Sequence, residues 1–92
     1  MVYVDPLIGV RSTSAWPYTH ACHLVADEGV ELTAFAQKLG LKPAWRQRKR
    51  LDHFDLTPTM RRRAVKLGAR SLTTREMGNW LRERHLPTVN AL

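Results

Sequence analysis

Three helix signals, each with its own start and stop, leave this chain few ways to fold. In the first, Leu32, Phe35, Ala36 and Leu39 fall at i, i+3, i+4 and i+7 and make one apolar stripe, with Asp27 or Glu28 at its start. Gly40 suits the left-handed residue that ends such a helix. In the second, Thr57 can cap orphan backbone N–H groups, and Pro58 loses nothing at the first helical position. Met60, Ala64 and Leu67 form its expected buried line and Gly68 closes it. Arg61, Arg62 and Arg63 fan across the remaining faces, where at least two must reach solvent. In the third, Thr73 and Glu76 have the spacing of a reciprocal capping box, Met77, Trp80 and Leu81 supply the apolar side, and Pro87 sets the latest end.

Short strand candidates lie between these helices, at residues 2–4, 22–26, 51–54 or 51–56, and 70–72. The last three alternate with the helices as β-α-β-α-β-α, an order that favours a parallel sheet with right-handed crossovers. The expected fold is a small α/β sandwich of two or three layers, with about four mostly parallel strands and three helices. At 92 residues the chain fills one core, so residues 1–86 are read as one domain and 87–92 as a C-terminal tail. So small a core leaves room for added stability from a ligand or a homodimer. Residues 6–21, with Gly9, Ser12, Thr13, Ser14 and Pro17, are the least regular part. A connection of that length is often functional, or holds a hairpin the pattern does not resolve.

Charge is placed unevenly. The formal net charge is +7. Residues 1–30 hold Arg11 against Asp5, Asp27 and Glu28, whereas residues 38–70 hold eleven basic residues. Nine of them come in two bursts, Arg46, Arg48, Lys49 and Arg50, then Arg61, Arg62, Arg63, Lys66 and Arg70. A field of that sign concentrates polyanions, chiefly nucleic acid, and otherwise is a solvated basic surface. Trp45 among these arginines, and Trp16, are candidates to stack on a base, or else core or sheet-edge residues. No apolar run approaches the ~20 residues of a membrane span. The first residues lack a basic leader and Asp5-Pro6 interrupts their apolar stretch, which sets a cytoplasmic expectation. Cys22 is the sole cysteine, so no disulfide forms within the chain, and a buried, inert thiol is expected.

The chemistry-bearing residues gather at expected strand ends. Asp5 follows the first strand, Asp27 the second, Asp55 and Thr57 the third, and Thr73 the fourth. In a parallel sheet those ends share one edge, where ligands bind and helix N-termini favour anions. In Leu51-Asp52-His53-Phe54-Asp55-Leu56 a two-residue period puts His53 and Asp55 on one face, Asp52 and Phe54 on the other. A His/Asp pair can orient a general base or ligate a divalent cation, so His23, Asp27, His53, Asp55 and Asp5 form a candidate set. Each also has a structural reading: Asp27 as a helix cap, Asp5 as a turn residue before proline, His53 as a core histidine bonded to backbone. The chain has no Gly-rich phosphate loop with its lysine, no G-x-S-x-G elbow, no H-E-x-x-H pair and no dinucleotide fingerprint.

Val2-Tyr3-Val4-Asp5, His23-Leu24-Val25-Ala26-Asp27, Glu31-Leu32 with Phe35-Ala36, Leu39-Gly40-Leu41, Trp45, His53-Phe54-Asp55, and Ala64 with Leu67-Gly68-Ala69 occur in that order. In them the chain resembles, over residues 1–82, family 4031 among the domains of unknown function, found in bacteria and their phages. The resemblance implies that Asp5, His23, Asp27, His53 and Asp55 are recurrent polar positions, and it implies no activity. Residues 12–18 are longer and less basic than that family's pattern.

Three functions follow as expectations. The first is binding of nucleic acid or a nucleotide phosphate through Trp45, Arg46, Arg48, Lys49, Arg50, Arg61, Arg62 and Arg63. The second is a metal-dependent phosphoesterase or nuclease, with Asp5, Asp27 and Asp55 as ligands of a divalent cation and His53, Asp55 and His23 as catalytic groups. The third is a phage-encoded interaction factor that docks on an acidic protein partner.

Overall fold

The computed structural model describes residues 1–84, which form six strands and three helices. The strands are β1 (Val2–Val4), β2 (Ile8–Gly9), β3 (His20–Ala26), β4 (Gln47–Arg48), β5 (Asp52–Leu56) and β6 (Arg70–Ser71). The helices are α1 (Gly29–Leu39), α2 (Pro58–Lys66) and α3 (Thr74–Glu83), with a short 3-10 turn at Pro43–Trp45. The α/β class therefore holds. The expected tail and Pro87 lie outside the described residues.

The helix signals act largely as physics requires. Gly40 takes the left-handed conformation at φ 83° and ends α1. The Thr57 hydroxyl accepts from the Met60 N–H at 3.2 Å, and Pro58 opens α2. Thr73 and Glu76 cap each other's backbone N–H groups at 2.9 and 3.1 Å. Two details differ from expectation. Glu28 occupies the start of α1 without a side-chain cap, and Asp27 does not cap it either. Leu67 is the residue after α2 and is half exposed, so the buried line of that helix is Ala64 with the partly buried Met60.

The sheet is mixed rather than mostly parallel, in the order β4-β5-β3-β1-β6, with β2 paired to the start of β3. β1 runs antiparallel to β3, β3 to β5 and β5 to β4, and among the described residues only β1 and β6 are parallel neighbours. The physical reason lies between α1 and β5. A simple crossover would bring the chain back parallel, but β4 takes that direction, and the hairpin that follows reverses β5. Residues 6–21 contain a hairpin too, with Ile8 opposite Ala21 and Gly9 opposite His20.

Alternation along the strands splits the core in two. Val2, Val4, Cys22, Leu24, Phe54 and Leu56 face one way and pack against Leu32, Ala36 and Leu39 of α1 and Ala64 of α2. Val25 and Leu51, with the half-buried Tyr3, face the other way and pack against Met77, Trp80 and Leu81 of α3. The result is three layers. The odd-numbered face of β3 and β5 continues past this second cluster to His23, His53 and Asp55.

Candidate metal centre

The register of β3 on β5 sets His23 directly opposite Asp55, and His53 lies two residues before Asp55 on the same face. The two-residue period sets His53 and Asp55 on one face, and the antiparallel register of β3 brings His23 to them. One ligand atom from each of His23, His53 and Asp55 lies within 4.8 Å of the others. The two imidazole rings meet edge to face with centroids 5.0 Å apart.

Each ring is anchored through Nδ1. The Nδ1–H of His23 donates to Asp5 Oδ2 at 2.8 Å, while the backbone N–H of His23 donates to Asp5 Oδ1 at 2.6 Å. The Nδ1–H of His53 donates to the Leu51 carbonyl at 2.8 Å. An acceptor at Nδ1 fixes the tautomer, so in each neutral ring Nε2 carries the free lone pair. A carboxylate or carbonyl behind a histidine in this way orients the ring and raises its basicity toward a cation. Asp5 is thus a support for His23. Asp5 and His53 are the buried polar residues of the described chain, 5% and 6% exposed, and both have their hydrogen bonds met within the cluster.

In the imidazolium form, before any cation takes the Nε2 lone pair, His53 Nε2–H faces Asp55 Oδ1 at 3.4 Å. Burial opposes the His53 imidazolium, but the hydrogen bonds to Asp55 and Leu51 and the charges of Asp55 and Asp5 outweigh it, and its pKa rises above the usual value. The His53 hydrogen bond holds the Asp55 carboxyl below its usual range despite burial. The amide of Gln47, brought beside β5 by the β4–β5 register, donates to the other Asp55 oxygen. Gln47 has no signal in the sequence, because a two-residue strand shows no period.

Two depressions open on the cluster. One, of about 450 Å³, is lined by His23, His53, Asp55, Gln47, Lys49 and Arg50. The other, of about 260 Å³, is lined by His23, Asp55 and residues of the β2–β3 hairpin. The basic burst 46–50 is therefore divided. Lys49 and Arg50 face the cleft, and Arg48 is exposed. Arg46 is turned inward instead, with its Nε and Nη2 donating to both oxygens of Asp52 at 2.7 and 2.6 Å and Nη2 also to the Gly29 carbonyl at 3.1 Å. Its side chain is 8% exposed, so Arg46 ties β5 to the start of α1 and is not available to a polyanion. Trp45 is exposed beneath the Lys42 ammonium.

On α2, Arg61 is half-buried, donating from Nε to the Asp5 carbonyl at 2.9 Å and from Nη2 to Ser71 Oγ at 2.7 Å, while Arg62 and Arg63 reach solvent. Cys22 is buried behind the site, and burial together with the charge of Asp5 pushes its thiol up to about 12, as an inert thiol requires.

Asp27 is the residue the structure takes out of the candidate set. Because β3 runs antiparallel to β1, Asp27 leaves the sheet beside Met1, at the opposite edge from Asp5. There it accepts from Tyr3 at 3.0 Å, from the Trp80 indole at 2.9 Å and from Arg84. It fastens α3 to the sheet.

A family model described as a protein of unknown function, DUF4031, matches residues 2–84. The chain belongs to that family. No curated protein and no solved structure matches it. For this DUF4031 chain the family assigns no chemistry, and the reading of the site rests on its geometry. Among the described residues no helix is long and apolar enough to cross a membrane.

Proposed function

We propose that this protein is a metal-assisted phosphoester hydrolase whose divalent cation is held by His23, His53 and Asp55. One observation carries the reading: two imidazoles, each anchored through Nδ1, meet a carboxylate within 4.8 Å at the floor of an open cleft. Two nitrogens and one oxygen suit zinc, manganese or iron in the 2+ state better than calcium or magnesium, which prefer all-oxygen shells. Three protein ligands leave coordination positions for water and substrate. Such a cation supplies a hydroxide near neutral pH and neutralises charge on a phosphoryl oxygen. Asp5 and Leu51 keep the two rings aimed, Gln47 orients Asp55, and Lys49 at the cleft wall attracts the substrate's anionic groups.

Titrating the protein with Zn²⁺ or Mn²⁺ by calorimetry, and assaying the loaded protein on bis(p-nitrophenyl) phosphate, tests the proposal. It predicts one site per chain and turnover that His53→Ala removes while the fold persists by circular dichroism. An absence of binding heat with either ion, or turnover unchanged in His53→Ala, would overturn it.

A second reading is favoured by a separate observation. Arg62 and Arg63 are exposed and form no ion pair with a carboxylate among the described residues, and the exposed Arg48 stands opposite Asp52. A polyanion, nucleic acid first among them, suits that surface. Reversing the charge of Arg62 and Arg63 should then weaken binding of labelled DNA or RNA equally for all sequences and flatten its salt dependence. Unchanged affinity in anisotropy titrations at low salt would leave an acidic protein as the partner to seek.

A further inference from the structure

The depression between the β2–β3 hairpin and the cluster differs in kind from the basic cleft. Ile8, Val10, Trp16 and Ala21 line it, Arg11 stands among them, and it shares His23 and Asp55 with the cleft. Its volume of about 260 Å³ is below the ~300–1,000 Å³ of whole-ligand pockets and is the right scale for one ring system. The hairpin is held in place rather than loosely draped. Thr13 and Trp16 are joined by two hydrogen bonds, at 2.9 and 3.0 Å, Ser12 donates to the Tyr18 carbonyl at 3.0 Å, and the Trp16 and Tyr18 rings meet edge to face at 5.1 Å. Within this arrangement the indole Nε1–H of Trp16 is buried and has no acceptor among the described residues. A buried donor without a partner is costly and rare, and a ligand acceptor is one way of satisfying it.

From these features we infer that the hairpin depression is a base subsite, and that the substrate class is a nucleotide with a single base bound there. The inference rests on the metal reading and specifies it. The planar, largely apolar base lies among Ile8, Val10 and Trp16, and a turn of the Trp16 ring that uncovers its buried N–H brings that donor to an acceptor on the base or sugar. The phosphoryl group then reaches the His23, His53 and Asp55 cluster, which borders both depressions, and further anionic groups extend toward Lys49. A cation held by His23, His53 and Asp55 would supply the hydroxide for this hydrolysis, in which a new P–O bond forms to the water-derived oxygen while the P–O bond to the leaving alcohol or phosphate breaks. The leaving oxygen takes up a proton from water.

Calorimetric titration of the full chain, with and without Zn²⁺, against adenosine and uridine monophosphates and ribose 5-phosphate tests this. At least one nucleotide should bind about tenfold or more tightly than ribose 5-phosphate, the increment that base stacking gives. Trp16→Ala should erase that gap and leave affinity for Zn²⁺ and for ribose 5-phosphate unchanged. Val10→Phe, which fills the depression from the loop side, should erase it too, and it serves where Trp16→Ala does not fold. Equal affinity of the wild type for nucleotides and ribose 5-phosphate would overturn the base subsite, whether or not Zn²⁺ binds. A nucleotide gap without Zn²⁺ binding would retain the base subsite and remove the metal reading. A ten-residue oligonucleotide that binds at least a hundredfold more tightly than either mononucleotide would overturn the single-base assignment.

Discussion

The Asp5 carboxylate does two jobs with its two oxygens, holding the backbone and the ring of His23 at once. Asp5→Asn puts an amide donor against one of two N–H groups. We expect Zn²⁺ affinity to fall about 10- to 100-fold, the usual effect of losing a partner behind a metal-bound histidine. Calorimetry on the folded variant checks this, and unchanged affinity would remove Asp5 from the support of the site. Arg46 makes the opposite case, a charge in the basic burst that is committed within the protein. Arg46→Lys loses the planar fork on Asp52, and should lower stability by about 1–2 kcal/mol in urea unfolding, discounted because Asp52 is partly solvated. Its effect on polyanion binding should be nil. At this scale the sequence is legible where side-chain direction follows from a strand's own period, as for His53 and Asp55. It is not legible for Asp27, whose partners come from distant segments, nor for Arg46 and Gln47, whose nearby partners are set by a hairpin too short to show a period.

Secondary elements explain why Asp27 went elsewhere. The helices could be read because caps and stops are local chemistry: Thr57, Thr73 with Glu76, and Gly40 act within a single turn. Strand direction is a long-range property: β4, two residues long, reverses β5 without leaving a pattern, and the irregular connection from β1 to β3 sets those two strands antiparallel. With β3 antiparallel to β1, Asp27 becomes the clamp between the sheet and α3. Burial works against its charge, yet Trp80, Tyr3 and Arg84 outweigh burial and hold its carboxyl below the usual range. A carboxyl lowered in the folded state contributes stability above its unfolded pKa and loses it as pH falls through the folded value. The stability difference between wild type and Asp27→Asn should therefore be constant near neutral pH and shrink below about pH 4. Urea unfolding at a series of pH values reads this directly, and a difference that grows on acidification would contradict the clamp. Thr73→Ala should cost about 1 kcal/mol by removing the cap of the same helix.

At the scale of the whole molecule, the layers are unequal. Two helices, α1 and α2, cover one face of the sheet, whereas α3 covers part of the other and the hairpin at β2 stands at the opposite end of that face. Between them the histidines and Asp55 lie where a continuous third layer would otherwise put apolar side chains. A small domain that places buried polar groups there gives up core, and a ligand that binds the folded chain alone restores stability. At a free metal concentration about 100 times its Kd, that linkage is worth about 2.7 kcal/mol. For a domain of this size each kcal/mol moves Tm by roughly 4–8 °C. Zn²⁺ or Mn²⁺ at that ratio should therefore raise the melting temperature by on the order of 10–20 °C in a thermal scan. The same ion should do nothing for His53→Ala and much less for Asp5→Asn. If the unequal layers served only packing, the ion would leave the wild-type melt where it was, and His53→Leu would be as stable as the metal-treated protein.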